Sequence, residues 1–384
     1  MRLCLNIYRA YCIEEEPFGH SAPKNVSSKI MGQHVDVSIV ISTYNRCELL
    51  PKALESLLAQ DPGDVSYEVI VVDNNSTDET REVVESLSSK HINLRYIFEP
   101  KQGLSHGRNA GIANARASII AFTDDDIQAG KDWIANIKGA FDRHPEADLI
   151  GGKVLPIWAR QPPSWLTVDH WSPLAILDYG PVPFKVDSNN ALCLVGANFA
   201  VRRRLIDRLG PFNAELQRVG DGVGSLEDFY QLECAWRAGL ITLYEPSVIV
   251  TAQIPEDRIS KAYHRRWHTG HGKFYSLMRS PDMERSYLGR LFDVPGHLYK
   301  QFAKDLGSWL RKLIGADFDG AFLYEIRLRF FLGFFSQRRS DFRASGQRHS
   351  LRDLARLLKA VVRRSRRKEE AYRAEHPANP ESRF

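Results

Sequence analysis

Two hydrophobic periodicities alternate along this chain. From Val37 onward, apolar runs of strand length are followed by amphipathic segments with a helical period. "VSIVIS" reads as a buried strand and "CELLPKALESLLAQ" as the helix after it. "YEVIVVD" is a second strand, and "STDETREVVESLSS" opens with a capping signal and continues as a helix. The alternation repeats with "NLRYIFE" and "GLSHGRNAGIANA", then with "ASIIAFTDDD" and "KDWIANIKGAFDRH". Strands separated by helices of roughly 10 to 15 residues imply βαβ units. The expected fold class is α/β, a mainly parallel sheet with helices on both faces.

After about residue 150 the rhythm breaks. "PIWARQPPSWLTVDHWSP" reads as a long loop, "ALCLVGANFAV" as a strand, and "SLEDFYQLECAWRAG" as an amphipathic helix closed by Gly239. "LITLYEPSVIV" predicts two short strands, and from Asp257 the chain reads as helical and basic. The expected organisation is a leader over 1–34, disordered or an overextended start, and an α/β domain over 35–255. A helical, membrane-interfacial region follows over 256–362, then a disordered basic tail over 363–384.

Composition narrows the class. With 43% hydrophobic and 26% charged residues the chain is globular with a sizeable core. Cys4, Cys12, Cys47, Cys193 and Cys234 have no metal-ligand spacing and read as reduced thiols of a cytoplasmic protein. The net charge of +5 conceals an asymmetry, because residues 255–384 carry +13 and residues 1–254 carry −8. A basic C-terminal third predicts an anionic partner. A membrane surface fits better than nucleic acid, since the tail lacks interleaved aromatics or a known module. The apolar stretch "GAFLYEIRLRFFLGFF" (320–335) contains Glu325, Arg327 and Arg329, which disqualify it as a span but suit an interfacial helix, with a helix packed on the preceding domain as the equal alternative. The N-terminus lacks the long apolar region of a signal peptide.

Three polar clusters follow strands of the βαβ region: "STYNR" (42–46), "DNNSTD" (73–78) and "DDD" (124–126). In a parallel sheet these strand ends share one edge, where ligands bind. In extended chain Asp124 and Asp126 face one way and Asp125 the other. Two hard carboxylates in a wet cleft suit Mg²⁺ or Mn²⁺ bridging a substrate's phosphates, with a solvated acidic turn as the alternative. Asp73 ends the second strand, where an acid commonly accepts from a ribose or base, unless it caps the following helix. Thr43 and Tyr44 offer a base pocket, and Arg108, opening a helix, offers a phosphate contact, with an ordinary surface arginine as the alternative. Glu227 and Asp228 follow the Gly-rich "VGDGVGS" (219–225). They are either acids favoured at a helix start or a base delivered by a flexible loop.

Together "VSIVISTYNR", "YEVIVVDNNSTDET", "GLSHGRNAGI", "IIAFTDDD", "GANFAVRRRLIDRLGPFN" and "LEDFYQLECAWRAG" resemble family 2 glycosyltransferases of GT-A fold over roughly residues 36–255. The resemblance implies an inverting transferase using a nucleotide sugar, with a UDP donor expected. Thr43, Asn45 and Asp73 would hold the nucleoside, with Tyr44 and Asp125 in the same binding set. Asp124 would contact ribose or metal, Asp126 would ligate the metal, and Arg108 would sit near the diphosphate. Asp228 would be the catalytic base, with Glu227 shaping the acceptor site. The expected acceptor is a glycan or a lipid-linked sugar of cell-surface polysaccharide assembly, and the expected location is cytoplasmic, peripheral on the inner membrane face.

One departure stands out. Many members of that family carry a histidine shortly before an "IP" pair after the last strand, in some of them assisting at the metal, whereas this chain has Ala252 in "VTAQIP". His264, His268 and His271 lie farther on, and their spacing assigns none of them the missing role. Two alternatives stay open: a degenerate nucleotide-sugar-binding protein without turnover, and a metal-dependent nucleotidyltransferase. Against the latter, no Gly-rich phosphate loop follows the first strand.

Overall fold

A computed structural model describes residues 34–217, 226–284 and 289–346. Residues 1–33 of the expected 1–34 leader, the Gly-rich segment 219–225, residues 347–362 of the expected helical region and the expected tail over 363–384 lie outside the described residues. The chain divides into two compact units, ending and resuming at His264 and Arg265.

The first unit is built on the predicted alternation. Strand β1 (Val37–Thr43) leads to helix α1 (Leu50–Leu58), β2 (Tyr67–Asp73) to α2 (Thr80–Ser88), and β3 (Leu94–Phe98) to α3 (Leu104–Asn114). β4 (Ile119–Thr123) is followed by a short β5 (Ile127–Ala129) and α4 (Trp133–Arg143). Then come β6 (Leu149–Trp158), β7 (Phe184–Val186), β8 (Asn198–Arg202), α5 (Arg203–Leu209), α6 (Glu227–Arg237) and β9 (Thr242–Ile254). The sheet runs β3-β2-β1-β4-β8-β6-β9-β5, with β7 also on β9.

β3, β2, β1 and β4 are mutually parallel, as crossover helices demand. β2, β1 and β4 are buried on both faces, from Ile39 and Ile41 through Val69, Ile70, Val71 and Val72 to Ile120, Ala121 and Phe122, which is why these strands read as unbroken apolar runs; β3, at the sheet edge, buries only Leu94. β8 enters antiparallel between β4 and β6, where no helix-length crossover precedes it. "LITLYEPSVIV" was expected to give two strands and gives one, because Pro246 falls where β6 shifts register between Gly151 and Lys153. A β-carbon on Gly152 would lie 1.9 Å from the Val248 carbonyl oxygen, so only glycine lets the two strands close there. β5, β6 and β7 were not foreseen; β6 lies in a stretch read partly as loop.

Register fixes the working edge. Thr43 of β1 lies beside Asp73 of β2, and Ile41 lies beside Thr123, the residue before the three aspartates. α3 presses onto this edge: a β-carbon on Gly107 would meet Ser42 Oγ at 2.0 Å, and one on Gly111 would meet Val40 Cγ1 at 2.2 Å. The small residues of "SHGRNAG" thus let the helix carry Arg108 onto the strand ends.

Helix α7 (Lys261–Met278) begins at the end of the first unit, and the rest of the second is largely helical. α8 (Pro281–Glu284) and a ribbon of β10 (Arg290–Leu291) with β11 (Val294–Pro295) precede an antiparallel pair, α9 (Gly296–Ile314) and α10 (Phe318–Ala344). Residues 320–335 form one half of α10, and their Phe322, Ile326, Phe331 and Phe334 are buried. Phe331 packs against Phe302 of α9, so this stretch closes the hairpin with its aromatics. Among the described residues, no helix is long and apolar enough to cross a membrane.

Candidate active site

The three aspartates do not continue β4 as extended chain. β4 ends at Thr123, Asp125 and Asp126 make a turn, and β5 then pairs antiparallel with β9. The expected sharing of one face by Asp124 and Asp126 therefore does not hold, because the alternation it rests on ends with the strand; Asp125 is buried. Its Oδ2 accepts from Thr43 Oγ1 at 2.8 Å and its Oδ1 from Arg46 Nη1 at 2.8 Å. Burial pushes the Asp125 carboxyl up to about 6, against the opposing pull of Arg46. Asp124 and Asp126 turn to different partners. Arg46 also donates to Asp126 Oδ2 at 3.0 Å, Arg258 approaches the same oxygen at 3.7 Å, and Asp124 faces Arg108 at 3.5 Å.

Arg108 is the hub. It is 3% exposed, and its Nη1 reaches Asp228 Oδ1 at 2.6 Å and Glu227 Oε1 at 3.1 Å while Nη2 faces Asp124. Burial opposes its charge, but the carboxylates of Asp228, Glu227 and Asp124 outweigh that and hold it above its ordinary pKa. A single guanidinium therefore links the acidic turn after β4 to the first turn of α6. Asp228 Oδ2 accepts from the Gly196 N–H at 2.7 Å, and a β-carbon on Gly196 would fall 2.4 Å from Arg108 Nη2. The two carboxylates opening α6 take opposite environments: Glu227 is buried, whereas the Asp228 side chain keeps a fifth of its surface in contact with solvent.

Asp73 is also largely spoken for. Its Oδ1 accepts from the Ser76 N–H at 2.9 Å, closing the turn before α2, and its Oδ2 from the Tyr96 hydroxyl at 2.7 Å. Burial and the Asp73 carboxylate raise the Tyr96 phenol, so it stays a donor. Asn45 adopts φ 50°, and its Oδ1 accepts from the Thr77 N–H at 2.7 Å, tying the first polar cluster to the second. Tyr44 is half-buried beside it. The structure thus brings Thr43 to Asp125 and Asn45 to the Asp73 turn, and joins Asp124 to Asp228 through Arg108.

Three residues were missed. Arg46 closes the motif "STYNR", and its pairing with Asp125 and Asp126, across 79 and 80 residues, is one that no local pattern encodes. Tyr96 sits mid-strand in "NLRYIFE", where nothing marks its hydroxyl. Arg258 lies beyond the expected boundary of the catalytic region. Ala252 pairs with Ile127, one residue past Asp126, so the side chain at this strand position is a methyl group with no donor atom. His264 is buried, edge-on to Trp165 at 5.0 Å; burial and neighbouring His170 push it down to about 4. His271 stacks on Trp267 at 4.3 Å.

Among the described residues, no group of three or more His, Cys, Asp or Glu side chains is placed to hold a metal. A cage made by protein alone is therefore absent there. Asp124 and Asp126 are hard, partly solvated carboxylates, and that donor set fits an ion of the Mg²⁺ or Mn²⁺ type, which takes one or two carboxylates and completes its shell with phosphate and water.

Comparison with known proteins gives a consistent result. Residues 38–210 match the family model for glycosyl transferase family 2. Glycosyltransferase AglE of Haloferax volcanii is 29% identical over 190 residues, covering 48% of this chain and 58% of the relative. Glucosyl-dolichyl phosphate glucuronosyltransferase of the same organism is 27% identical over 187 residues, again 48% and 58%. Succinoglycan biosynthesis protein ExoM of Rhizobium meliloti is 28% identical over 248 residues, 62% of this chain and 74% of the relative. The matched chain spans less than two thirds of the first two relatives.

Proposed function

We propose, from the premise that this chain belongs through residues 38–210 to family 2 of the glycosyltransferases, that it moves a sugar from a nucleoside diphosphate, with UDP the expected nucleotide, to an acceptor hydroxyl with inversion. The observation that carries the reading is the Arg108 bridge, which sets Asp228 across from the acidic turn on one sheet edge.

In this reading the donor lies over the ends of β1, β2 and β4. Asn45 and the Asp73 turn border its nucleoside, with Tyr96 holding the Asp73 carboxylate in place. Asp126, with Asp124, would hold Mn²⁺ or Mg²⁺, which supplies charge neutralisation at the diphosphate. Arg46 and Arg258 already face Asp126 and add positive charge at that place. Asp228 receives the acceptor's hydroxyl proton as that oxygen attacks the anomeric carbon from the side opposite the departing diphosphate. The Gly196 N–H and Arg108 fix the carboxylate's orientation, so the proton goes to a positioned atom.

The acceptor in this reading is a lipid-linked or growing glycan. Support comes from relatives whose names specify a dolichyl phosphate sugar and succinoglycan biosynthesis. The test is thermal-shift and calorimetric binding of a panel of UDP-, GDP- and dTDP-sugars with and without Mn²⁺. One nucleotide class should bind and require the ion; binding of none would remove the reading.

A further inference from the structure

The apolar residues of 320–335 are largely buried, yet the second unit exposes a different apolar surface. α9 and α10 form an antiparallel hairpin joined by Gly315–Asp317. Ile314 at the end of α9 is 87% exposed, Phe318 at the start of α10 is 65% exposed, and Leu310, one turn before Ile314, is 47% exposed. These are the large hydrophobics of one hairpin tip. Burying them in an apolar medium is favourable by the ordinary transfer term, and here they face water.

The exposed side of α9 continues this tip with positive charge. Lys300, Lys304 and Arg311 are exposed and spaced by four and seven residues, so they share a helix face. Leu310 and Ile314, also four apart, flank that face. The acid of this helix is directed elsewhere: Asp305 is buried and paired with Arg327 at 2.8 Å. At the tip, Asp317 is engaged by Lys312 at 2.6 Å and by the Gly320 N–H at 2.8 Å. Asp319 leaves the tip itself near neutral, so attraction to anions falls to Lys300, Lys304 and Arg311 and to the excess of +13 over residues 265–384.

We infer that the α9–α10 hairpin docks on an anionic lipid surface, with Leu310, Ile314 and Phe318 entering the interface and Lys300, Lys304 and Arg311 over the headgroups. A helix with a cationic flank and a few large apolar residues at one end has the composition of an interfacial element. The lipid-linked acceptor of the proposed function gives the docking a purpose, but the docking rests on the hairpin alone.

The test is sedimentation of the full chain with vesicles of phosphatidylcholine, plain or with a third phosphatidylglycerol, without donor or acceptor. The wild type should bind the anionic vesicles, and weaken as salt is raised. I314E/F318E should lose at least about tenfold in partitioning, and each of K300Q, K304Q and R311Q about fivefold. Nucleotide-sugar binding by I314E/F318E should stay at the wild-type level, so failure of the donor-site reading and failure of the docking are separate results. Absence of wild-type binding would overturn the inference. So would binding that survives I314E/F318E, which would move the contact to another basic segment. A wild-type dimer that I314E dissociates would make a second copy of the chain the occupant and equally overturn it.

Discussion

Replacing Arg108 by methionine is the sharpest test of the hub. The substitution keeps most of the side-chain volume and removes the charge. It leaves Glu227, 1% exposed, without the guanidinium 3.1 Å away, and deprives Asp228 of its 2.6 Å partner. Removing one member of a buried ion pair typically costs about 3–5 kcal/mol, because the other charge stays desolvated. Guanidinium denaturation followed by tryptophan fluorescence should show a loss of that size at pH 7.5. The double variant Arg108→Met/Glu227→Gln should recover about half or more, since no charge is then stranded. The loss should also depend on pH. Without Arg108, burial raises the folded pKa of Glu227 above its unfolded value near 4.3. A carboxyl raised on folding contributes stability at low pH that disappears as pH climbs from the unfolded to the folded pKa. The deficit of Arg108→Met should therefore shrink between pH 7.5 and pH 5. A loss below about 1 kcal/mol, independent of pH and unaltered in the double variant, would refute the reasoning.

Other outcomes follow from single contacts. His264, held near pKa 4 in the folded chain against 6.5 in the unfolded, is neutral when buried. Its contribution is present above about pH 6.5 and lost as pH falls towards 4, so His264→Phe should flatten acid unfolding by up to about 3 kcal/mol across that window. Gly111→Ala forces a methyl to within 2.2 Å of Val40 Cγ1 and should cost about 1–3 kcal/mol, read as a lower Tm. Tyr96→Phe removes one hydrogen bond to Asp73; a stability loss near 1 kcal/mol with weaker donor binding is expected, and unchanged binding would separate Asp73 from the nucleoside site.

The parallel half of the sheet was legible because β1, β2 and β4 are buried on both faces and read as continuous apolar runs, while α1, α2 and α4 carry helical periodicity. The antiparallel half was not. β8 covers only the end of "ALCLVGANFAV", and the stretch before it is held by tertiary contacts, including the Gly196 N–H to Asp228, that no local pattern encodes. At the site the residue types were readable and their pairings were not. Alternation places Asp124 and Asp126 on one face, but the turn that separates them depends on β5 joining β9, a pairing across more than a hundred residues. Arg108 could be placed at a phosphate from its helix start; its bond to Asp228 comes from a segment 120 residues away.

The central claim is that Asp126 serves the donor and Asp228 the proton, and slow nucleotide-sugar hydrolysis measured beside donor binding tests it most directly. The account predicts that Asp126→Ala loses metal-dependent binding, while Asp228→Asn binds donor normally and loses hydrolysis by about 10²–10⁴-fold. Equal loss of binding in both variants, or hydrolysis that persists in Asp228→Asn, would contradict it.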